Sequence, residues 1–453
     1  MLVQFAVSNF SSFNEEVVLN LIPAKSRSKK DHIIRDLKGK KIDVLPMAAL
    51  YGANASGKTN FIEALAFLKN LVVRGTSSDE TTGAKPFLLD ISSESGPSRF
   101  EIIFKHGETL YTYGVVLDKR RIFEEWLFAY FSSQESLVFE RVTIEGETKV
   151  KAGNKLIAAA KKGSQFIDFI AHGTRPNQPF VTEAAEKNIN ILKNVVHWFR
   201  DHLEIIRPQS YYRELALRAQ KEKDFMGFLS DFLRLSDTGI ENLKCKSEVF
   251  DPEKHLQNIP HDLRSKILKD LEAERFDQLF LQVPQETITL SSEVHQGKKV
   301  TNFLRLQTVH RRKDGAEIAF DTSLESDGTQ RLMHLVPMLK EIWEHDRVFL
   351  IDELDRSLHT HLSRLFIEMC ISGVIEKKAR GQFIITTHDT NLLDRNLLRR
   401  DEIWFMEKDR FGASHLTSLA DYKVSEGLNY ENGYLNGRFG AIPFIGNIAE
   451  LLK

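Results

Sequence analysis

Cysteine is scarce in this chain: there are two in 453 residues, Cys245 and Cys370, and they form no Cys-x-x-Cys pair. That spacing excludes a disulfide framework and a thiolate zinc site, and it fits a reducing cytoplasm. Long apolar runs are missing as well. No stretch nears the roughly 20 residues that cross a bilayer, so no membrane partner is expected. The opening Met1-Leu-Val-Gln-Phe-Ala-Val-Ser-Asn9 lacks the basic and apolar regions of an export signal. Net charge is absent too, with 62 Lys+Arg against 63 Asp+Glu. No global basic field advertises nucleic acid, although a local basic surface leaves it open as a partner. Internal repeats and low-complexity tracts are lacking. At this length a single core is not expected, and two or three lobes are.

The pattern that is present begins with alternation. Val3, Phe5 and Val7 share one face and Val17, Leu19 and Leu21 another, which predicts an antiparallel pair. A polar, basic stretch from Lys25 to Lys41 reads as a surface loop. Val44-Leu-Pro-Met-Ala-Ala-Leu50 then reads as a buried strand. After it, Phe61, Ile62, Leu65, Phe67, Leu68 and Leu71 make an apolar helix face. Strands return from about Phe100 to Val142. From about 150 to 300 the pattern is mostly helical, with Leu215, Leu217, Phe225, Phe228, Leu229, Phe232 and Leu233 in rough helical spacing. Pro176, Pro179, Pro208, Pro252, Pro260 and Pro284 interrupt it, which excludes a long coiled coil and predicts a compact lid.

Between the buried strand and the apolar helix lies Gly52-Ala-Asn54-Ala55-Ser56-Gly57-Lys58-Thr59, a complete phosphate-binding loop in the context that such a loop requires. Its glycines let backbone N–H groups converge on phosphate oxygens, and the helix start adds a positive dipole end. Lys58 is expected to reach the β- and γ-phosphates of ATP and Thr59 to ligate Mg²⁺. Asn54, Ala55, Ser56 and Asn60 complete the expected nucleotide contacts. About 290 residues further on, Val348-Phe-Leu-Ile-Asp352-Glu353 is an apolar strand ending in two carboxylates. Beside a phosphate loop, Asp352 is expected to hold Mg²⁺ and Glu353 to polarise the attacking water. Adjacent residues at a strand end point in different directions, which suits two roles. Ser326-Asp-Gly328-Thr-Gln-Arg331 opens an apolar helix just before that strand; alone it would read as an N-cap. Phe383-Ile-Ile-Thr-Thr-His388 is a further strand with a histidine at its end. His359 and His361 do not share a helix face, so a metal pair is not expected there.

These residues resemble the prokaryotic ABC-type ATPases related to the SMC, RecF and overcoming-lysogenization-defect families. The similarity is strongest to stand-alone ATPases that open with Asn-Phe-x-Ser-Phe, here Asn9-Phe10-Ser11-Ser12-Phe13. The loop with Asn54 and Thr59-Asn60, the Ser-x-Gly-Thr motif, Asp-Glu followed by Ser357-Leu358-His359, Thr-His388-Asp389 and the ending Tyr434-Leu-Asn-Gly-Arg-Phe-Gly-Ala-Ile-Pro443 carry it. It covers 1–142 and 300–453, and the middle only by layout. The resemblance implies that Ser326 and Gly328 contact the γ-phosphate of a nucleotide on a second subunit. It also implies that His388 is a catalytic switch histidine and that Ser357 to His359 crosses a dimer interface. Two departures stand out: Asp327 and Thr329 replace the usual signature residues, and Ser11 stands where relatives often carry Arg or Lys.

The implied fold is α/β, an ABC-type P-loop ATPase head of mixed sheet, flanking helices and an antiparallel β subdomain, interrupted by a mainly helical lid. The expected division is 1–150 for the first half of the head, 151–300 for the lid, and 301–453 for the second half. The implied function is that of an ATPase, a homo-oligomer of one or more dimers, that serves anti-phage cassettes of the Septu, retron-associated, PARIS and abortive-infection kinds. Only 65 residues follow His388 in this sequence, too few for a Toprim nuclease domain, and no His-Asn-His pattern occurs. The expected effector, a nuclease or toxin, is therefore a separate protein. The rivals are a RecF-like repair ATPase that binds DNA directly and a scaffold that binds ATP without turning it over.

Overall fold

The computed structural model describes all residues except 26–28, 30, 36–40, 161–162, 258, 274–275, 284–285, 296–297, 424–426 and 444–453. More than half of the polar stretch Lys25 to Lys41, and Pro284, lie outside the described residues. The chain forms two compact units: 1–208 with 342–355 and 363–453, and 209–341 with 356–362.

The first unit holds two sheets. One is antiparallel and seven-stranded, in the order Glu147–Ala152, Ser136–Ile144, Ile122–Tyr130, Thr109–Leu117, Ser98–His106, Leu2–Ser8, Val17–Asn20. The expected N-terminal pair is there, with Phe5 opposite Leu19 and Val7 opposite Val17. The other sheet runs Leu203–Ile206, Val348–Ile351, Gln382–Thr386, Met47–Tyr51, Ile403–Lys408, Ser414–Ser418. Its first five strands are parallel and the last is antiparallel. Met47–Tyr51, Val348–Ile351 and Gln382–Thr386 are buried throughout, as parallel strands covered on both faces must be.

The Lys58–Arg74 helix joins both sheets in one core, which draws on Phe5, Phe61, Leu65, Phe100, Leu350 and Ile384. Its Phe61 ring stands edge-on to Phe5, with centroids 5.5 Å apart. Gln382 stitches the N-terminal strand to the parallel sheet. Its amide nitrogen donates to the carbonyls of Leu2 (2.9 Å) and Leu45 (3.0 Å), and its oxygen accepts from the Leu2 N–H. A buried ion pair fixes the far side of the antiparallel sheet. Glu125 accepts from Arg141 (3.2 Å), from the Tyr113 hydroxyl (3.2 Å), and from the N–H groups of Phe180 (2.7 Å) and Val181 (3.0 Å) at the start of the Phe180–Glu186 helix. Arg141 in turn donates to the Gln178 carbonyl at 2.6 Å, so both charges are met by hydrogen bonds.

The stretch 151–300 is divided between the two units rather than forming a single lid. Its first part, including the helices Ser164–Gly173 and Asn190–His197 and the edge strand Leu203–Ile206, belongs to the first unit. The second unit starts at Gln209 and contains a five-stranded antiparallel sheet: Asn242–Val249, Lys298–Arg311, Glu286–His295 and Gln278–Val283 in order, with Glu317–Asp321 following Glu286–His295 along the same edge of Lys298–Arg311. Ile288, Leu290 and Phe303 of this sheet form a small core with Leu256, Ile259 and Ile267. The alternation Ile288-Thr-Leu290 carries a strand signal, but surrounding charged residues and prolines break it into short pieces. The expected helix does occur at Lys223–Leu235, burying Phe225, Leu229, Phe232 and Leu233.

Candidate functional site

Parallel register sets the site. Ile351 is level with Ile385 and Thr386 with Leu50, so the strands carrying Asp352, His388 and the glycine loop end at one edge of the sheet. Ligands of open α/β sheets sit at these carboxyl ends.

Gly57 is the N-cap of the Lys58–Arg74 helix at φ 116°, and Ala55 has φ 61°, both in the left-handed region that curls the loop. A side chain at Gly57 would also meet Ser414, whose Oγ would lie 2.4 Å from its Cβ. Lys58 is buried, and its ammonium donates to the loop carbonyls of Gly52 (2.7 Å) and Ala53 (3.0 Å). Burial pulls its pKa down to about 8, against the opposing pull of the Asp352, Asp355 and Glu353 carboxylates. Ser56 Oγ is buried with no hydrogen-bond partner among the described residues. Asn54 and Ala55 are exposed on the loop. An ammonium folded onto its own loop and an orphaned hydroxyl beside it suit a phosphate group.

Thr59 Oγ1 donates to Asp352 Oδ2 at 3.0 Å, so the helix start and the carboxylate strand meet. The opposite oxygen, Asp352 Oδ1, accepts from Thr386 Oγ1 at 2.6 Å. Glu353 has φ 50°, and its N–H donates to the same Thr386 oxygen at 2.8 Å. Thr59 and Asp352 supply the hard oxygen donors that Mg²⁺ takes, and the residues present fit that ion. His388 is exposed, with its backbone N–H on Asp355 Oδ2 at 3.2 Å. Its imidazole pKa is lowered, first by partial loss of solvent around the ring despite its exposed face and then by the Lys58 charge, which favours the neutral ring.

Asn60 donates to Ser12 Oγ at 2.8 Å, tying the helix to the Asn9–Phe13 turn. Ser414 Oγ donates to the Ser56 carbonyl (2.7 Å), which leaves it to accept from the Ser12 hydroxyl (2.8 Å). On the other flank of the loop, the Ala53 N–H donates to the Ala441 carbonyl at 2.9 Å. Thr386, Asp355, Ser12, Ser414 and Ala441 are thus the residues that sequence reasoning left without a role. Thr386, Ser12 and Ala441 sit inside quoted motifs and could have been found there, and Asp355 lies just past the Asp352-Glu353 pair. Ser12 and Ser414 are adjacent only in three dimensions.

Ser326 and Gly328 lie in the second unit. Ser326 Oγ accepts the Thr329 N–H at 3.2 Å, the N-cap of the Asp327–Glu344 helix. Gly328 is required by a close approach, since a Cβ there would stand 2.5 Å from the Ser357 carbonyl. The serine–glycine turn and the Ser357–His359 loop therefore adjoin within this unit. His359 and His361 stack with centroids 5.1 Å apart, and no group of three metal-ligating side chains occurs among the described residues. Cys245 and Cys370 are both free thiols, and no described helix is long and apolar enough to cross a membrane.

A family model described as "AAA domain, putative AbiEii toxin, Type IV TA system" matches residues 47–394. Solved structures similar to the chain include the SMC head domain from Thermotoga maritima, at 12% identity over 93% of this chain and 99% of that one, with a TM-score of 0.37. The SMC head bound to the C-terminal winged-helix domain of ScpA gives 12% identity, 92% and 97% coverage and a TM-score of 0.35. The recombination mediator RecF with ATP gives 15% identity, 86% and 94% coverage and a TM-score of 0.26. No curated protein matches the sequence.

Proposed function

The chain belongs to this AAA-domain family, and from that premise we propose that it is a Mg²⁺-dependent, ABC-type ATPase that works as a head-to-tail dimer or a multiple of dimers. The observation that carries the reading is the chain of bonds from Thr59 through Asp352 and Thr386 to Glu353. It aligns a phosphate loop, a pair of metal-facing oxygens and a general base at one sheet edge. Lys58 and the loop amides would hold the β- and γ-phosphates, with Ser56 and Asn54 beside them. Thr59 and Asp352 would hold Mg²⁺, which neutralises charge on the phosphate oxygens as the bond breaks. Glu353 would accept a proton from the attacking water, and neutral His388 would hydrogen-bond the transferring phosphoryl group. Ser326 and Gly328 would close over the nucleotide of a facing subunit, since a capped helix start favours an anion.

Hydrolysis would gate a separately encoded nuclease or toxin in phage defence. The type IV toxin–antitoxin label of the family supports a two-component arrangement, with the toxin name attached to the AAA domain rather than to its partner. The first test is phosphate release from ATP by the purified chain with and without Mg²⁺. Turnover should depend on Mg²⁺, rise more than linearly with protein concentration, and vanish in Lys58→Ala. Metal-independent turnover, or none at any concentration, would overturn the reading.

A further inference from the structure

Thr386 is fully buried at the end of the Gln382–Thr386 strand, and it touches both carboxylate residues at once. Its hydroxyl lies 2.6 Å from Asp352 Oδ1 and 2.8 Å from the Glu353 nitrogen. The roles in these bonds are fixed. A backbone N–H only donates and an ionised carboxylate only accepts, so the single hydroxyl proton is committed to Asp352 and a lone pair to Glu353. We infer that Thr386 is the positioning residue for hydrolysis, holding the Asp352 carboxylate in the plane that serves the metal while pinning the backbone from which Glu353 reaches the water. This rests on the proposed ATPase reading of the site.

Two further features point the same way. Asp352 is held at both oxygens, by Thr59 on one and Thr386 on the other, so losing Thr386 removes one of the two hydroxyl bonds that set the plane of the carboxylate. Glu353 sits at φ 50°, a conformation that costs a non-glycine residue energy and persists only where neighbours impose it. The Thr386 oxygen and the bond from Leu354 N–H to the Thr386 carbonyl (3.0 Å) impose it from the same residue. The adjacent Thr387 points elsewhere: its hydroxyl accepts the Asp389 N–H at 3.0 Å.

The experiment compares Thr386→Val, Thr386→Ala and Thr386→Ser with Glu353→Gln in the full chain. Partners that orient a metal ligand are typically worth about tenfold to a hundredfold in activity or metal affinity. The valine and alanine variants should therefore lose at least about tenfold in kcat and need several-fold more Mg²⁺ for half-maximal rate, with the KM for ATP nearly unchanged. Serine, which keeps the hydroxyl, should restore most of the rate and the Mg²⁺ dependence. If Glu353→Gln is slow but valine and alanine run normally, the Thr386 inference falls and the ATPase site stands. If Glu353→Gln is not slow, the site reading itself falls. Loss of folding in both valine and alanine, or a KM rise with unchanged kcat and Mg²⁺ dependence, would make Thr386 a structural residue and overturn the inference.

Discussion

At the residue scale, the arrangement turns on a few protons. Glu353→Gln removes the base but not the phosphate cradle, so ATP should still bind while turnover falls by about two orders of magnitude. Binding by equilibrium titration and turnover by phosphate release separate the two, and unchanged turnover would refute the role of Glu353. Lys58 supplies a pH test. Its pKa in the fold is about 8, below the ordinary lysine value of 10.5. Between those values the unfolded chain binds more protons than the folded one, so this group adds stability as pH rises from about 8. Function has the opposite sign. Phosphate needs the ammonium, so ATP affinity should weaken as pH rises above about 8, and binding near that pH should take up a proton. Calorimetry in buffers of different ionisation enthalpy reads that uptake directly. A binding enthalpy independent of buffer at pH 8 would argue against Lys58 as the phosphate ligand.

At the scale of elements, the phosphate loop is held from both flanks by segments remote in sequence. Gly440 has φ 66°, and a Cβ there would lie 2.2 Å from the Glu407 carboxylate, which also accepts the Ala441 N–H at 3.1 Å. The Ala441 carbonyl then meets Ala53 at the start of the loop. Gly440→Val should push this strap away and weaken ATP binding several-fold while the melting temperature changes little, because the strained position lies outside the sheet cores. Fluorescent-nucleotide titration checks it, and unchanged affinity would mean that the strap does not shape the loop. The Glu125–Arg141 pair is of another kind, purely structural. Arg141→Met leaves a buried carboxylate with only neutral donors and should cost about 3 kcal/mol of stability in denaturant unfolding.

At the scale of the whole molecule, the proposed composite site makes the dimer testable. Ser326→Arg should leave ATP binding by the Lys58 loop nearly intact and abolish hydrolysis. Mixing it with Lys58→Ala chains should not restore full activity, since each hybrid dimer keeps at most one complete site. Undiminished turnover by Ser326→Arg would exclude the composite site. The proposed defence role predicts that the chain alone neither protects nor harms cells, and that it co-purifies with the product of a neighbouring gene to give resistance dependent on Lys58. Loading onto duplex DNA with steep salt dependence, without such a partner, would favour a repair ATPase instead.

The local chemistry was legible in the sequence because it is written in contiguous motifs. Gly52 to Thr59 must curl at Gly57, where φ reaches 116°, and an apolar strand such as Val348–Ile351 must end at Asp352. The Lys58–Arg74 helix and the strands Ser98–His106, Thr109–Leu117 and Ser136–Ile144 follow from local pattern. What tertiary structure decided is everything that depends on pairing between distant segments. Residues 151–208 joined the first unit because Leu203–Ile206 found the edge of the parallel sheet beside Val348–Ile351, a pairing that no local pattern encodes. The second unit built a sheet among its helices because strands such as Glu286–His295 and Lys298–Arg311 are far more stable paired over a shared core than alone. Thr386 acquired its place in the site the same way: the sequence shows a threonine before a histidine, and only parallel register sets its hydroxyl between Asp352 and Glu353.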